Sequence, residues 1–145
     1  LLIENEHEED TRFRDDQIFR ARLTEIKLRT YPFTDRDGHP AEGQSLDWWW
    51  EITGSTEGPA YIGRKVKGEC HPKMTNREDN KFRQWAEALL NREIPVGMKL
   101  DTDDLVGLEA DILIRLRQDR KERDKWWPQV DGIAPVDGAL QDVPF

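Results

Sequence analysis

The sequence predicts an all-β domain carrying one α-helix, placed between the third and fourth of five strands. Three observations carry that prediction. The run Leu46 to Thr53 holds three consecutive tryptophans, Trp48, Trp49 and Trp50. A helix would spread the three rings over a wide arc, whereas a strand sends successive side chains to opposite faces. Trp48, Trp50 and Ile52 then make a core face, and Asp47, Trp49 and Glu51 an outer one. Further on, Phe82, Trp85, Ala86, Leu89 and Leu90 follow the spacing of a buried helical stripe. After the helix, Ala110, Ile112, Ile114 and Leu116 alternate with Leu113, Arg115 and Arg117, which is again a strand with one core face.

In chain order, residues 1–16 read as an acidic N-terminal arm. They hold seven acids against Arg12 and Arg14 and show no sustained period. Such a segment is either mobile or a short helix docked through Leu1, Leu2 and Ile3. The opening Leu-Leu-Ile, followed at once by acids, does not read as a signal peptide. The lack of an initiator Met leaves room for missing first residues.

The domain proper is expected over 17–134. From Ile18 to Leu28 the apolar positions Phe19, Ala21, Leu23, Ile26 and Leu28 have period two with a slip near Thr24, as a bulged strand gives. Helical spacing of Phe19, Leu23 and Ile26 is the alternative. Tyr31 to Ser45, with Pro32, Asp37-Gly38, Pro40 and Gly43, reads as a loop. The tryptophan strand follows, then a turn over Thr53 to Pro59. A third strand over Ala60 to Gly68 would pair with it as a hairpin, with Ile62 and Val66 on one face and Tyr61, Lys65 and Lys67 on the other.

The helix is expected to be capped by Thr75 or Asn76, with Glu78 and Asp79 at capping-box positions, and to end at Asn91. Asp101 to Gly107 is a turn into the fourth strand, Leu108 to Arg117. A charged loop with Arg120, Lys121, Arg123 and Lys125 leads to a last short strand, Trp126 to Ile133. Residues 135–145 form an acidic tail.

The order β–β–β–α–β–β is that of the oligonucleotide-binding (OB) fold, a five-stranded Greek-key barrel whose second and third strands and long loops hold ligand. The final residues, Gln141-Asp142-Val143-Pro144-Phe145, resemble the acidic, Pro-Phe-ending tip of bacterial and phage single-stranded DNA-binding proteins. The stretch Lys81 to Arg92 followed by Asp101 to Gly107 also resembles small phage and actinobacterial proteins. The long Gly/Gln/Pro-rich linker of the bacterial family is replaced here by the short Asp131 to Gln141.

The resemblance implies a protein that coats single-stranded DNA with little sequence preference. It would recruit replication or recombination enzymes through a tip formed by Asp142, Val143, Pro144 and Phe145. Strand binding of this kind stacks bases on aromatic rings while Lys and Arg follow the backbone. The candidate set is Trp49, Tyr61, Lys65, Lys67, Arg115 and Arg117, with Arg20 and Arg22 nearby and Trp126 and Trp127 beside the basic loop. At most one of the last two tryptophans should be core. RNA stays open as a ligand, since stacking platforms accept either strand. So does a homo-oligomeric state.

Composition sets further bounds. No apolar run approaches membrane-spanning length. The single cysteine, Cys70, excludes an internal disulfide and fits a reducing, cytoplasmic setting in a bacterial or phage-infected cell. The formal net charge of −8 lies mostly in the two ends, leaving a nearly neutral body. Total acidity therefore says little against phosphate binding, which depends on patches.

Asp101, Asp103 and Asp104 lack the other ligands of a calcium loop. Cys70-His71 finds no matching pair in His7 or His39 for zinc. No nucleophile–base arrangement or phosphate-cradling glycine motif is recognisable, so neither an enzyme nor a cofactor is expected. The rival reading is an OB-like adaptor or inhibitor whose acidic surface contacts basic protein partners.

Overall fold

Alternation along the tryptophan run decides which side of the sheet is the inside. In the computed structural model, which describes residues 1–3 and 12–136, the elements are β1 (Gln17–Thr34), β2 (Pro40–Gly54), β3 (Lys65–Cys70), α1 (Lys81–Leu90), β4 (Glu109–Gln118) and β5 (Trp126–Pro135). The strands hydrogen-bond in the order β1-β2-β3-β5-β4, and β4 returns to β1, so the five-stranded sheet closes on itself. Neighbours are antiparallel except β3 and β5, which run parallel through only two residue pairs, Lys67–Gln129 and Gly68–Val130. The protein is thus mostly β with one helix. Among the described residues no helix is long and apolar enough to cross a membrane.

The interior is filled from both ends. Trp48, Trp50 and Ile52 of β2 are fully buried, together with Phe19, Ala21 and Leu23 of β1 and Ala110, Ile112 and Ile114 of β4. At one end α1 lays its stripe of Phe82, Trp85, Ala86, Leu89 and Leu90 against the sheet. The Trp48 ring meets Phe82 edge-on at 5.7 Å and Trp85 edge-on at 5.4 Å, and stacks on Trp50 at 6.4 Å. Such aromatic pairs add to the area they bury.

Gly68 makes this possible at the seam between β3 and β5. A Cβ there would lie 2.5 Å from the Trp85 ring and 3.1 Å from Val130. Beyond Ile52, the other end is closed by Phe13, Phe19 and Tyr61, whose ring centroids lie 5.1–5.9 Å apart.

Local chemistry explains each boundary. The slip expected near Thr24 is a bulge: Leu23 pairs with Trp50 and Glu25 with Trp49, and the Thr24 hydroxyl donates to the Trp49 carbonyl at 3.1 Å. Asn91 ends α1 in the left-handed conformation (φ 53°). The N-cap is Asn80, one turn later than the Thr75 or Asn76 expected. Its side chain accepts from the Arg83 N–H at 2.9 Å and donates to the Lys73 carbonyl at 2.8 Å. The Asp101 carboxylate accepts the Asp103 N–H at 3.0 Å, which is a turn role.

Three expectations are corrected. Tyr31 to Ser45 is not a loop: β1 and β2 stay paired from Tyr31–Gly43 to Thr34–Pro40, and only residues 35–39 turn. This ribbon projects past the closed sheet, since the β1–β4 ladder stops at Arg22 and the β2–β3 ladder begins at Leu46. The third strand begins at Lys65, because Pro59–Tyr61 is a short 3-10 turn and Gly63 adopts φ +88°. That left-handed residue resets the alternation, so Ile62 is exposed and Tyr61 is buried.

The arm is the third correction, because residues 12–16 dock on the sheet. The Arg12 carbonyl accepts the Tyr61 hydroxyl at 2.9 Å, and the Asp15 carboxylate accepts the Leu116 N–H at 2.7 Å. The rest of the expected arm, residues 4–11, and most of the tail, residues 137–145 with its tip, lie outside the described residues.

Gly68→Ala should cost about 1–3 kcal/mol by overpacking against Trp85 and Val130. The measurement is the thermal midpoint by circular dichroism. An unchanged midpoint would show that α1 can shift freely and that the seam does not depend on this glycine.

Candidate nucleic-acid interface

On the outer face of the sheet, register lines up one row across four strands: Trp49 opposite Lys67, Lys67 opposite Gln129, and Gln129 opposite Arg115. Trp49 is half-buried, and the Lys67 ammonium lies 5.8 Å from its ring centroid. The adjoining row holds Asp47 and Glu69, so the face is dense in charge of both signs.

Most of the candidate cations are already compensated. Arg20 pairs with Asp111 at 2.7 Å, Arg22 with Glu51 at 3.1 Å, and Lys67 with Glu69 at 3.0 Å. Arg115 reaches Asp16 at 3.3 Å and Asp131 at 3.4 Å, while Arg117 reaches Asp131 at 2.6 Å. Of these six candidates Lys65 alone has no carboxylate partner among the described residues. Exposed pairs of this kind are worth at most about 1 kcal/mol each, so a phosphate can displace them. The field they present beforehand is nevertheless weak.

Tyr61 does not belong to this face. It is fully buried between Phe13 and Phe19, its hydroxyl bonded to Arg12, and no base can reach its ring. Trp126 and Trp127 are both about half exposed, so neither is core. They point different ways. Trp127 sits opposite Arg117 and donates its indole N–H to Asp119 at 3.3 Å. Trp126 lines a separate cavity of about 740 Å³ with Phe13, Leu116 and Arg12.

A second set of residues comes together where the sequence seemed to offer a loop. On the outer face of the ribbon, Arg29, Tyr31 and Phe33 stand in line at every second position. The guanidinium of Arg29 lies 5.6 Å from the Tyr31 ring, and Tyr31 lies 6.2 Å from Phe33. Tyr31 rests on Gly43 across the ladder, where a Cβ would collide with the ring at 2.5 Å. Both rings remain 40–45% exposed.

With the β3 end at Glu69 to His71 and with Arg120 of the β4–β5 loop, they wall a groove of about 560 Å³. The side chains of Arg120, Lys121 and Arg123 make no ion pair among the described residues, although the loop also holds Asp119, Glu122 and Asp124. Asp119 shapes that loop by accepting the N–H groups of Lys121 and Glu122 at 2.7 and 2.9 Å, which hold its carboxyl below the usual carboxylate range.

The groove floor is an ion-pair lattice. Asp47, only 6% exposed, accepts Arg29 Nε at 2.8 Å and Nη2 at 3.3 Å, and the Ser45 hydroxyl at 3.2 Å. The bond to Asp47 raises the Arg29 pKa above its ordinary value. Cys70 also borders the groove, but its thiol is largely buried and accepts the Trp48 indole N–H at 3.2 Å. Burial pushes its pKa up to about 11.

At the tip of the ribbon, ligand atoms of Asp35, Asp37 and His39 lie within 4.8 Å of one another. Asp35 there accepts the N–H groups of Asp37 and His39 and shapes the turn.

No family model, curated protein or solved structure matches this chain.

The raised Cys70 pKa gives a chemical test of the geometry. At pH 8 only about one thiol in a thousand is thiolate, the nucleophilic form. Native protein should therefore alkylate far more slowly with iodoacetamide than protein in denaturant. Equal rates in the two conditions would place Cys70 outside the packed seam.

Proposed function

We propose that this chain is an OB-fold, single-stranded DNA-binding protein whose strand lies in the groove between the ribbon and the β4–β5 loop. The closed strand order, the parallel β3–β5 contact and a helix between β3 and β4 support the fold. In OB barrels the face of strands two and three, with the loops after strands one and four, holds oligonucleotides. The observation that carries the reading is the pair of exposed rings on the ribbon sharing one groove with Arg120 of the basic β4–β5 loop. Aromatic rings stack any base, and Arg and Lys follow the phosphates, so binding is largely indifferent to sequence. RNA stays within reach of the same surface.

The outer row of Trp49, Lys67, Arg115 and Arg117 extends the path, with ion pairs that phosphates must replace. Asp142 to Phe145 serve as the docking tip for replication or recombination enzymes in this reading. The competing reading, an adaptor for basic proteins, draws on the compensated charges of that same row.

Two measurements test the proposal. Tyr31→Ala with Phe33→Ala should weaken binding of a mixed-sequence single-stranded oligonucleotide by about tenfold or more, each stack being worth roughly 1–3 kcal/mol. Thermal stability should hardly change, because neither ring is core. Undiminished binding by the double variant would take the strand off the ribbon, and no oligonucleotide binding by the unaltered chain would favour the adaptor.

Removing Pro144 and Phe145 should abolish capture of a replication enzyme in pull-downs and leave DNA affinity intact. Equal capture by both forms would remove the tip from the mechanism.

A further inference from the structure

We infer that one subsite of the groove selects bases carrying an exocyclic amine, cytosine over thymine among the pyrimidines, through the carboxylate of Glu69. The inference rests on the strand-binding reading above and adds a preference at one position of an otherwise tolerant path. Glu69 lines the groove beside Arg29, Tyr31 and Phe33, and its side chain is 35% exposed. One oxygen, Oε1, takes both cations of the floor, Lys67 Nζ at 3.0 Å and Arg29 Nη2 at 3.2 Å. Oε2 makes no hydrogen bond among the described residues. Asp47, the neighbouring carboxylate, has both oxygens engaged and is closed to a ligand.

A base stacked on Tyr31 would bring its polar edge to this floor. Unpaired bases are read on such edges, and a carboxylate reads an amine: Glu and Asp accept from cytosine N4. The cytosine edge offers one donor next to two acceptors. Glu69 Oε2 accepts the donor. Arg29 Nη1, which makes no hydrogen bond among the described residues, is the donor we assign to the acceptors. Thymine offers this edge a single donor, N3–H, flanked on both sides by carbonyl oxygens that a carboxylate repels, so its pairing with Glu69 is the weaker one. Lys67 and Arg29 keep Glu69 aimed, since moving it would break two ion pairs at once. Comparing the two pyrimidines removes the larger stacking differences that separate purines from pyrimidines.

The experiment is a titration of the full chain with oligo-dC and oligo-dT of equal length at one salt concentration. Oligo-dC should bind about fivefold tighter. Glu69→Gln, whose amide both donates and accepts, should bring the two within about twofold, chiefly by tightening oligo-dT, with the thermal midpoint unchanged. Equal binding of both strands by the unaltered chain overturns the subsite and leaves strand binding standing. A preference that persists in Glu69→Gln overturns the role of Glu69. Failure of both strands to bind overturns this inference and the strand-binding reading together.

Discussion

A bare backbone at Gly68 and the Trp85 ring that lies on it set the geometry of everything else. β3 and β5 share only two residue pairs, too few to hold a sheet closed by hydrogen bonds alone. The indole of Trp85 covers that short seam from inside and meets Trp48 edge-on, which in turn stacks on Trp50. One helix side chain thus joins the weakest contact of the sheet to its largest buried rings. Interiors pack at crystal-like density, so a displacement of this ring passes directly to the strands around it. The position of Glu69 and His71, next along β3, follows from where that seam lies.

The outer surface follows a different economy. Carboxylates accompany nearly every cation on the sheet proper, and the body of the chain is close to neutral. Cations that make no ion pair among the described residues gather instead in the β4–β5 loop. There Arg120, Lys121 and Arg123 make no ion pair among the described residues, while Asp119 folds the backbone beneath them. Field strength at a patch, not total charge, governs encounter.

Much of the architecture was legible because a closed sheet imposes strict alternation. The split of Trp48 and Trp50 from Trp49, the stripe on α1 and the slip at Thr24 all followed from period alone. What escaped had no core face to announce it. The ribbon over Tyr31 to Ser45 pairs only with itself, so its strands need no apolar period, and Pro32, Pro40 and Gly43 looked like turn residues. The Arg29, Tyr31, Phe33 line was nonetheless readable as alternation with one face aromatic. Tyr61 was misplaced because a single left-handed glycine, Gly63, changed the phase between it and Lys65. Composition alone does not mark that event, since glycine is equally common in ordinary turns.

The same prolines that hid the ribbon give it a property of their own. Ribbon strands with free flanks are templates on which another chain can add a strand, the usual start of edge-to-edge aggregation. Here the outer edges of both ribbon strands lack sheet neighbours among the described residues over 25–34 and 40–45. Pro32 and Pro40 each remove a backbone donor from this stretch, and Lys27 and Glu42 add charge. A hairpin can therefore stand out from the barrel with its aromatic rings open to solvent while resisting growth into an intermolecular sheet. Its capacity for contact then lies more in the side chains than along the backbone edges.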